Sequence, residues 1–226
     1  MSVYTPEKKE YMSKFIQQPT QIEETYIGGE YDTTERWFVL VLFIWGAVVF
    51  SLGYYGVFSK IDTNWVPVLV GIGIAAPVLQ YYLNHKFKSY IWSIDLKHLT
   101  IFHLWRIVAA LVFFHYGSQN LLPKQFVINA GLGDLAVGLL VPIVLMLKGG
   151  DRKYLLFHIF GLLDFVVAVG TGFTFTLILH DPLMNNITTF PVVLIPLYGV
   201  CVTGSLSVMT LDRLLKRRLG YQQTYS

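Results

Sequence analysis

The sequence predicts an all-α fold, a polytopic bundle of six transmembrane helices with both ends on the cytoplasmic side. Three observations carry this. Six apolar runs each come near the ~20 residues needed to cross ~30 Å of hydrocarbon. Only 14% of residues are charged while 54% are hydrophobic, against about a quarter charged in soluble domains. The basic residues also segregate to alternate loops.

The runs fall at 37–58, 64–84, 98–116, 126–147, 154–179 and 189–211. None alternates with a period of two, so helices satisfy the backbone in lipid and a barrel does not. Before them stands an amino arm, 1–36, with seven acids, four basic residues and Gly28-Gly29. It reads as a solvated arm, or as a docking arm for other membrane subunits. It has no apolar core of a signal peptide, so the first span is expected to direct insertion. Thr33 and Thr34 ahead of Trp37 look like an N-cap for the first span. A basic tail, 212–226, follows the last.

Charge sets the orientation. The amino arm holds Lys8, Lys9, Lys14 and Arg36, and the second loop Lys86, Lys88 and Lys97. The fourth loop holds Lys148, Arg152 and Lys153, and the tail Arg213, Lys216, Arg217 and Arg218. The opposite side keeps Lys60 and Lys124 alone. Such a bias predicts a multi-pass protein of the inner membrane with cytoplasmic termini. Trp37, Trp65, Trp92 and Tyr116 fall near the interfaces, as an aromatic belt does.

Three ionisable residues lie deep inside spans: Arg106, Asp134 and Asp164. At ~1.5 Å rise per residue they sit about 12, 18 and 15 Å from the cytoplasmic face, nearly one depth on three consecutive helices. A charge there costs at least ~2.5–3.5 kcal/mol, so it should face the interior and pair. The planar guanidinium has donors for two carboxylates, and two acids beside one arginine can also exchange a proton. His103, one turn before Arg106, is expected in the same hydrogen-bond network. The group reads either as glue between three helices or as a site for a proton, ion or polar ligand. Gly131 and Gly138 share the face of Asp134, and Gly161 and Ala168 that of Asp164, a pattern of close helix packing.

Other chemistries find little purchase. A lone Cys201 excludes an internal disulfide or a cysteine metal cage. No HxxxH or HxxE cluster suggests a metal, and no phosphate loop, dinucleotide fingerprint or nucleophile elbow is present. His103 and His115 are ~120° apart around their helix, poor for two haems. A single haem between His103 and His158 is geometrically conceivable, but no cofactor is predicted. The basic loops are short and topological, so the lipid bilayer is the expected partner and nucleic acid is not. Gln80, Asn129, Thr171, Thr174, Thr176, Thr203, Ser205 and Ser207 are polar groups within spans that could line a narrow polar cavity with the charged trio. Pro67, Pro77, Pro142, Pro191 and Pro196 free backbone carbonyls near it.

Residues 131–140, GLGDLAVGLL, and 161–170, GLLDFVVAVG, match at four of ten positions on consecutive, oppositely directed spans. Inverted repeats of this kind occur in transporters, though four matches in apolar sequence do not establish one. The stretch from HLWRIVAALVFFHYG through LLPKQFVINAGLGDLAVGLL to FGLLDFVVAVG, roughly residues 98–172, resembles a group of small bacterial membrane proteins described as uncharacterised. The resemblance points to Arg106, Pro123, Asp134 and Asp164 and implies no particular activity. The leading expectation is therefore binding or translocation of a proton or small solute at the Arg106/Asp134/Asp164 cluster. A structural or assembly subunit, which predicts no cavity, is the first rival. A membrane enzyme acting on a lipid, quinone or isoprenoid, which predicts a lateral opening, is the second.

Overall fold

Apolar runs bounded by polar or proline-containing turns leave the chain no choice but helix in hydrocarbon, and helix is what forms. The structure, a computed structural model, describes residues 21–220, with side chains from residue 33 onward. The helices are α1 (Gln21–Tyr54), α2 (Trp65–Leu83), α3 (His85–Ser93), α4 (Leu96–Ile101), α5 (Trp105–Ser118), α6 (Lys124–Met146), α7 (Asp151–Phe173) and α8 (Cys201–Arg218). Among the described residues there is no strand. Among the described residues six stretches are long and apolar enough to cross a membrane: Thr33–Tyr54, Trp65–Leu83, Leu96–Ser118, Lys124–Met146, Asp151–Ile178 and Ile195–Arg218. The protein is a multi-pass integral membrane protein.

The spans match the expected ones with shifts at the ends. The first begins earlier, because α1 already runs from Gln21. Thr33 and Thr34 therefore lie inside a helix and do not cap one. The proposed docking role of the amino arm falls largely on residues outside the described ones. The last span starts six residues later than expected, at Ile195. A 3-10 turn over Pro182–Thr188, opened by Asp181 accepting from the Leu183 N–H at 2.9 Å, occupies the space before it. The same span ends later, at Arg218, because the last turns of α8 are held by polar contacts described below.

The chain divides into a unit of residues 1–41 and a unit of residues 42–226. Of the first, the described part is residues 21–41, the beginning of α1. In the second, α5, α6 and α7 pack consecutively, and α8 packs on α2 and α7. Glycines set the close approaches. A Cβ at Gly131 would run into the Phe114 ring and one at Gly138 into Ile107, so α5 and α6 meet along a small-residue seam.

Two polar girdles close the ends of the bundle. At one end Ser59 donates to Thr188 O at 3.3 Å, Thr63 to Asn185 Oδ1 at 2.9 Å, and Asn186 Nδ2 to Leu121 O at 2.7 Å. The Tyr116 hydroxyl donates to Phe190 O at 3.1 Å. At the other end, where the basic loops lie, Lys153 donates to Leu147 O at 2.6 Å and Arg217 pairs with Asp151 at 3.4 Å. Alternate loops thus gather at opposite ends, as the alternating charge pattern requires.

Three departures from α-helix interrupt the spans: a 3-10 turn at Phe102–Leu104 and π turns at Thr174–Ile178 and Ile195–Val200. Such turns inside helices often mark functional sites. Pro196 brings no N–H to the last of them, and the carbonyls there are taken by side chains. Cys201 Sγ lies 3.2 Å from Pro196 O, and Thr203 donates to Gly199 O at 2.7 Å.

Candidate functional site

Arg106 is the second residue of α5, just after the 3-10 turn that interrupts the third span. Asp134 lies midway along α6 and Asp164 midway along α7. The helices aim all three inward. The Arg106 Nε donates to Asp134 Oδ1 at 2.6 Å, and one terminal nitrogen pairs with Asp164 Oδ2. The other terminal nitrogen donates to Gly161 O at 3.4 Å. The three side chains are 5%, 6% and 7% exposed. One planar fork thus spans two helices and two carboxylates, a geometry a lysine cannot reproduce.

The sum of formal charges is what gives the cluster chemical interest. One guanidinium and two carboxylates leave an excess of one negative charge. Uncompensated in hydrocarbon, that charge is costly. A proton or a bound cation balances it.

His103 is buried at 1% exposure, but it does not join this network as expected. Its Nε2 lies 3.4 Å from Ser207 Oγ on α8, and its ring packs edge-on against His158, with centroids 5.3 Å apart. The 3-10 turn carries the His103 side chain toward α7 and α8 while Arg106, three residues on, reaches between α6 and α7. Among the described residues, both nitrogens of His158 and Nδ1 of His103 are buried without a hydrogen-bond partner. The two rings touch directly, so a porphyrin plane between them would have to push them apart.

A cavity of about 80 Å³ opens beside the charged cluster. Arg106 and Asp134 form one wall. Phe113, Phe126, Phe165 and Phe173 form much of the rest, and Met184 and Ile187 of the 182–188 turn lie at its far end. Residues of both π turns, Thr176, Ile195, Pro196 and Val200, also line it. It spans the half of the bundle away from the basic loops.

The cavity differs from the polar one expected. Among the polar span residues named above, Thr176 alone lines it. Four of the others are spent locally: Thr171 donates to Val167 O, Thr174 to Gly170 O, Thr203 to Gly199 O and Ser205 to Val202 O. A hydroxyl with no partner side chain in lipid bonds the carbonyl of its own preceding turn. Asn129 instead reaches across helices to Thr171 Oγ1 at 3.0 Å.

Sequence reasoning overlooked Gly133. A Cβ there would overlap the Asp164 carboxylate, so α6 must be bare at this point for Asp164 to reach Arg106. The GLGD motif contained the signal: Gly131 makes room for Phe114, Gly133 for Asp164, and Asp134 pairs with Arg106. The aromatic walls were also missed, because phenylalanines in a membrane span look alike whether they face lipid or a cavity.

A family model described as a domain of unknown function (DUF8737) matches residues 63–215. The match takes in Arg106, Asp134, Asp164 and the whole cavity wall. No curated protein and no solved structure matches the chain.

Proposed function

The chain belongs to the family described as domain of unknown function (DUF8737), and for this member we propose binding and translocation of a compact, mainly apolar solute with one cationic group. The solute's body occupies the phenylalanine-lined cavity, and its cationic group replaces a proton at the Asp134/Asp164 pair. Both termini are placed in the cytoplasm, on the strength of the charge bias between loops.

A single observation carries the reading: the cavity is apolar on nearly all sides and ends on a cluster one positive charge short of neutrality. An apolar pocket with a few convergent polar groups is the common form of a small-molecule site. Sugars and free amino acids would strand their polar groups against phenyl rings. An anion would meet a guanidinium already committed to two carboxylates. A purely structural role leaves the cavity without a purpose.

Thermal unfolding of the purified protein in detergent tests this with three probes of one shape: benzylamine, benzyl alcohol and benzoate. Benzylamine is expected to raise the midpoint at pH 7, benzyl alcohol less, and benzoate not at all. Ala130→Leu, which fills the cavity, should abolish the benzylamine shift, and Asp134→Asn should erase the preference for the amine. Equal shifts from all three probes, or a benzylamine shift that survives Ala130→Leu, would remove the basis of the reading.

A further inference from the structure

The opposite end of the bundle carries a second group of charges that the cavity does not explain. At the close of α2, Tyr81 and Tyr82 present their hydroxyls to Asp212 of α8, at 2.8 Å to Oδ2 and 3.3 Å to Oδ1. Trp92 of α3 donates to the Tyr81 hydroxyl at 2.7 Å, and Lys216 donates to Asp212 Oδ2 at 2.8 Å. These bonds hold α2, α3 and α8 in one corner and extend α8 beyond its apolar segment.

Two ammonium groups meet over this frame. Lys88 of α3 lies 5.5 Å from the centroid of the Tyr81 ring, and Lys216 lies 5.7 Å from that of Tyr82. Burial, and then the charge of Lys216 beside it, hold Lys88 below the ordinary lysine range. Among the described residues one carboxylate, Asp212, acts on both, paired directly with Lys216. The adjacent Arg213 is 4% exposed and gives its terminal nitrogen to Ile91 O and Ile94 O, while its Nε is buried without a partner. Asp95 and Asp151 act on Arg213 from a distance, but Asp95 caps α4 and Asp151 pairs with Arg217. Among the described residues the corner therefore keeps at least one positive charge beyond its carboxylates.

Its surroundings are those of a membrane interface. Tyr82 is half exposed, and Leu79, Leu83 and Leu215 are exposed around it. An anion here finds two ammonium groups, aromatic rims and, below them, leucines facing lipid tails. A monoanionic phosphodiester with acyl chains matches each of these in turn.

We propose that this corner is a binding site for the headgroup phosphate of an anionic phospholipid, held between the Lys88 and Lys216 ammonium groups. The assignment is independent of the solute reading, because the two sites share no residue.

Native mass spectrometry of the full chain, titrated with dioleoyl phosphatidylglycerol, dioleoyl phosphatidylcholine or inorganic phosphate, tests it. Phosphatidylglycerol adducts are expected at concentrations where phosphatidylcholine and phosphate leave none. Lys88→Gln with Lys216→Gln should weaken phosphatidylglycerol by on the order of tenfold or more, given ~1 kcal/mol per lysine near anionic lipid. Lys60→Gln with Lys124→Gln, at the opposite end, should leave it unchanged. Should the first double variant unfold, Lys88→Arg with Lys216→Arg, which keeps both charges, must retain the adducts in folded protein. Equal binding of the two lipids, undiminished binding in the glutamine variant, or binding of phosphate alone would each overturn the assignment.

Discussion

Gly133 faces the carboxylate of Asp164 so closely that a methyl group on residue 133 would occupy the position of Oδ1. A single absent side chain on α6 thus lets an acid on α7 reach an arginine on α5. The relationship separates a packing glycine from one that completes a charged site, and it yields the first prediction.

Gly133→Ala is expected to destabilise the protein by roughly 2–3 kcal/mol, although alanine is worth about 1 kcal/mol more than glycine within a helix. The loss comes from displacing Asp164 and weakening a buried pair. Gly161→Ala is the control, since a Cβ there meets Arg106 at an ordinary 3.6 Å. It should be neutral or stabilising. Thermal midpoints in detergent decide, and equal midpoints for the two variants would deny the close contact.

Arg106→Met should be severe, on the order of 3–5 kcal/mol, because it leaves two buried acids without their shared partner. Asp134→Asn and Asp164→Asn should each cost less, since the other acid still balances the guanidinium. The triple change to Met, Asn and Asn should recover stability relative to Arg106→Met. Strict additivity across this set would mean that the three residues do not interact.

His158→Leu is expected to be neutral or stabilising. Both ring nitrogens are buried without partners among the described residues, so the imidazole incurs a desolvation cost with no hydrogen bond to offset it. A loss above ~2 kcal/mol in chemical denaturation would show that a water or ligand bonds it. His103→Leu should cost more, because it also strands Ser207 Oγ.

Cysteine labelling from outside intact cells should modify Lys60→Cys and Lys124→Cys and miss Lys88→Cys and Arg152→Cys, with native Cys201 buried and silent. Labelling of the second or fourth loop from outside would reverse the topology.

Much of this was legible in the chain itself. Six runs of apolar residue, and acids and an arginine at one depth, follow from two constraints that act along the sequence. Hydrocarbon demands helices of fixed length, and a charge within it demands a partner. Arg106, Asp134 and Asp164 were found together for that reason, and Gly131 and Gly138 were rightly placed on a packing face.

The direction in which each side chain leaves its helix was not legible, and there the structure decided. The turn at Phe102–Leu104 sends His103 to Ser207 and His158 instead of Arg106. Thr171, Thr174, Thr203 and Ser205, expected in a polar cavity, bond their own helices, and phenylalanines from α5, α6 and α7 meet around the space instead. The sequence by itself determined the fold class, the spans and the charged trio, because burial in lipid penalises one residue at a time. Only the tertiary structure decided that the trio borders an apolar cavity and that Gly133 must be bare, because contacts between helices depend on rotations and crossings that no local pattern encodes.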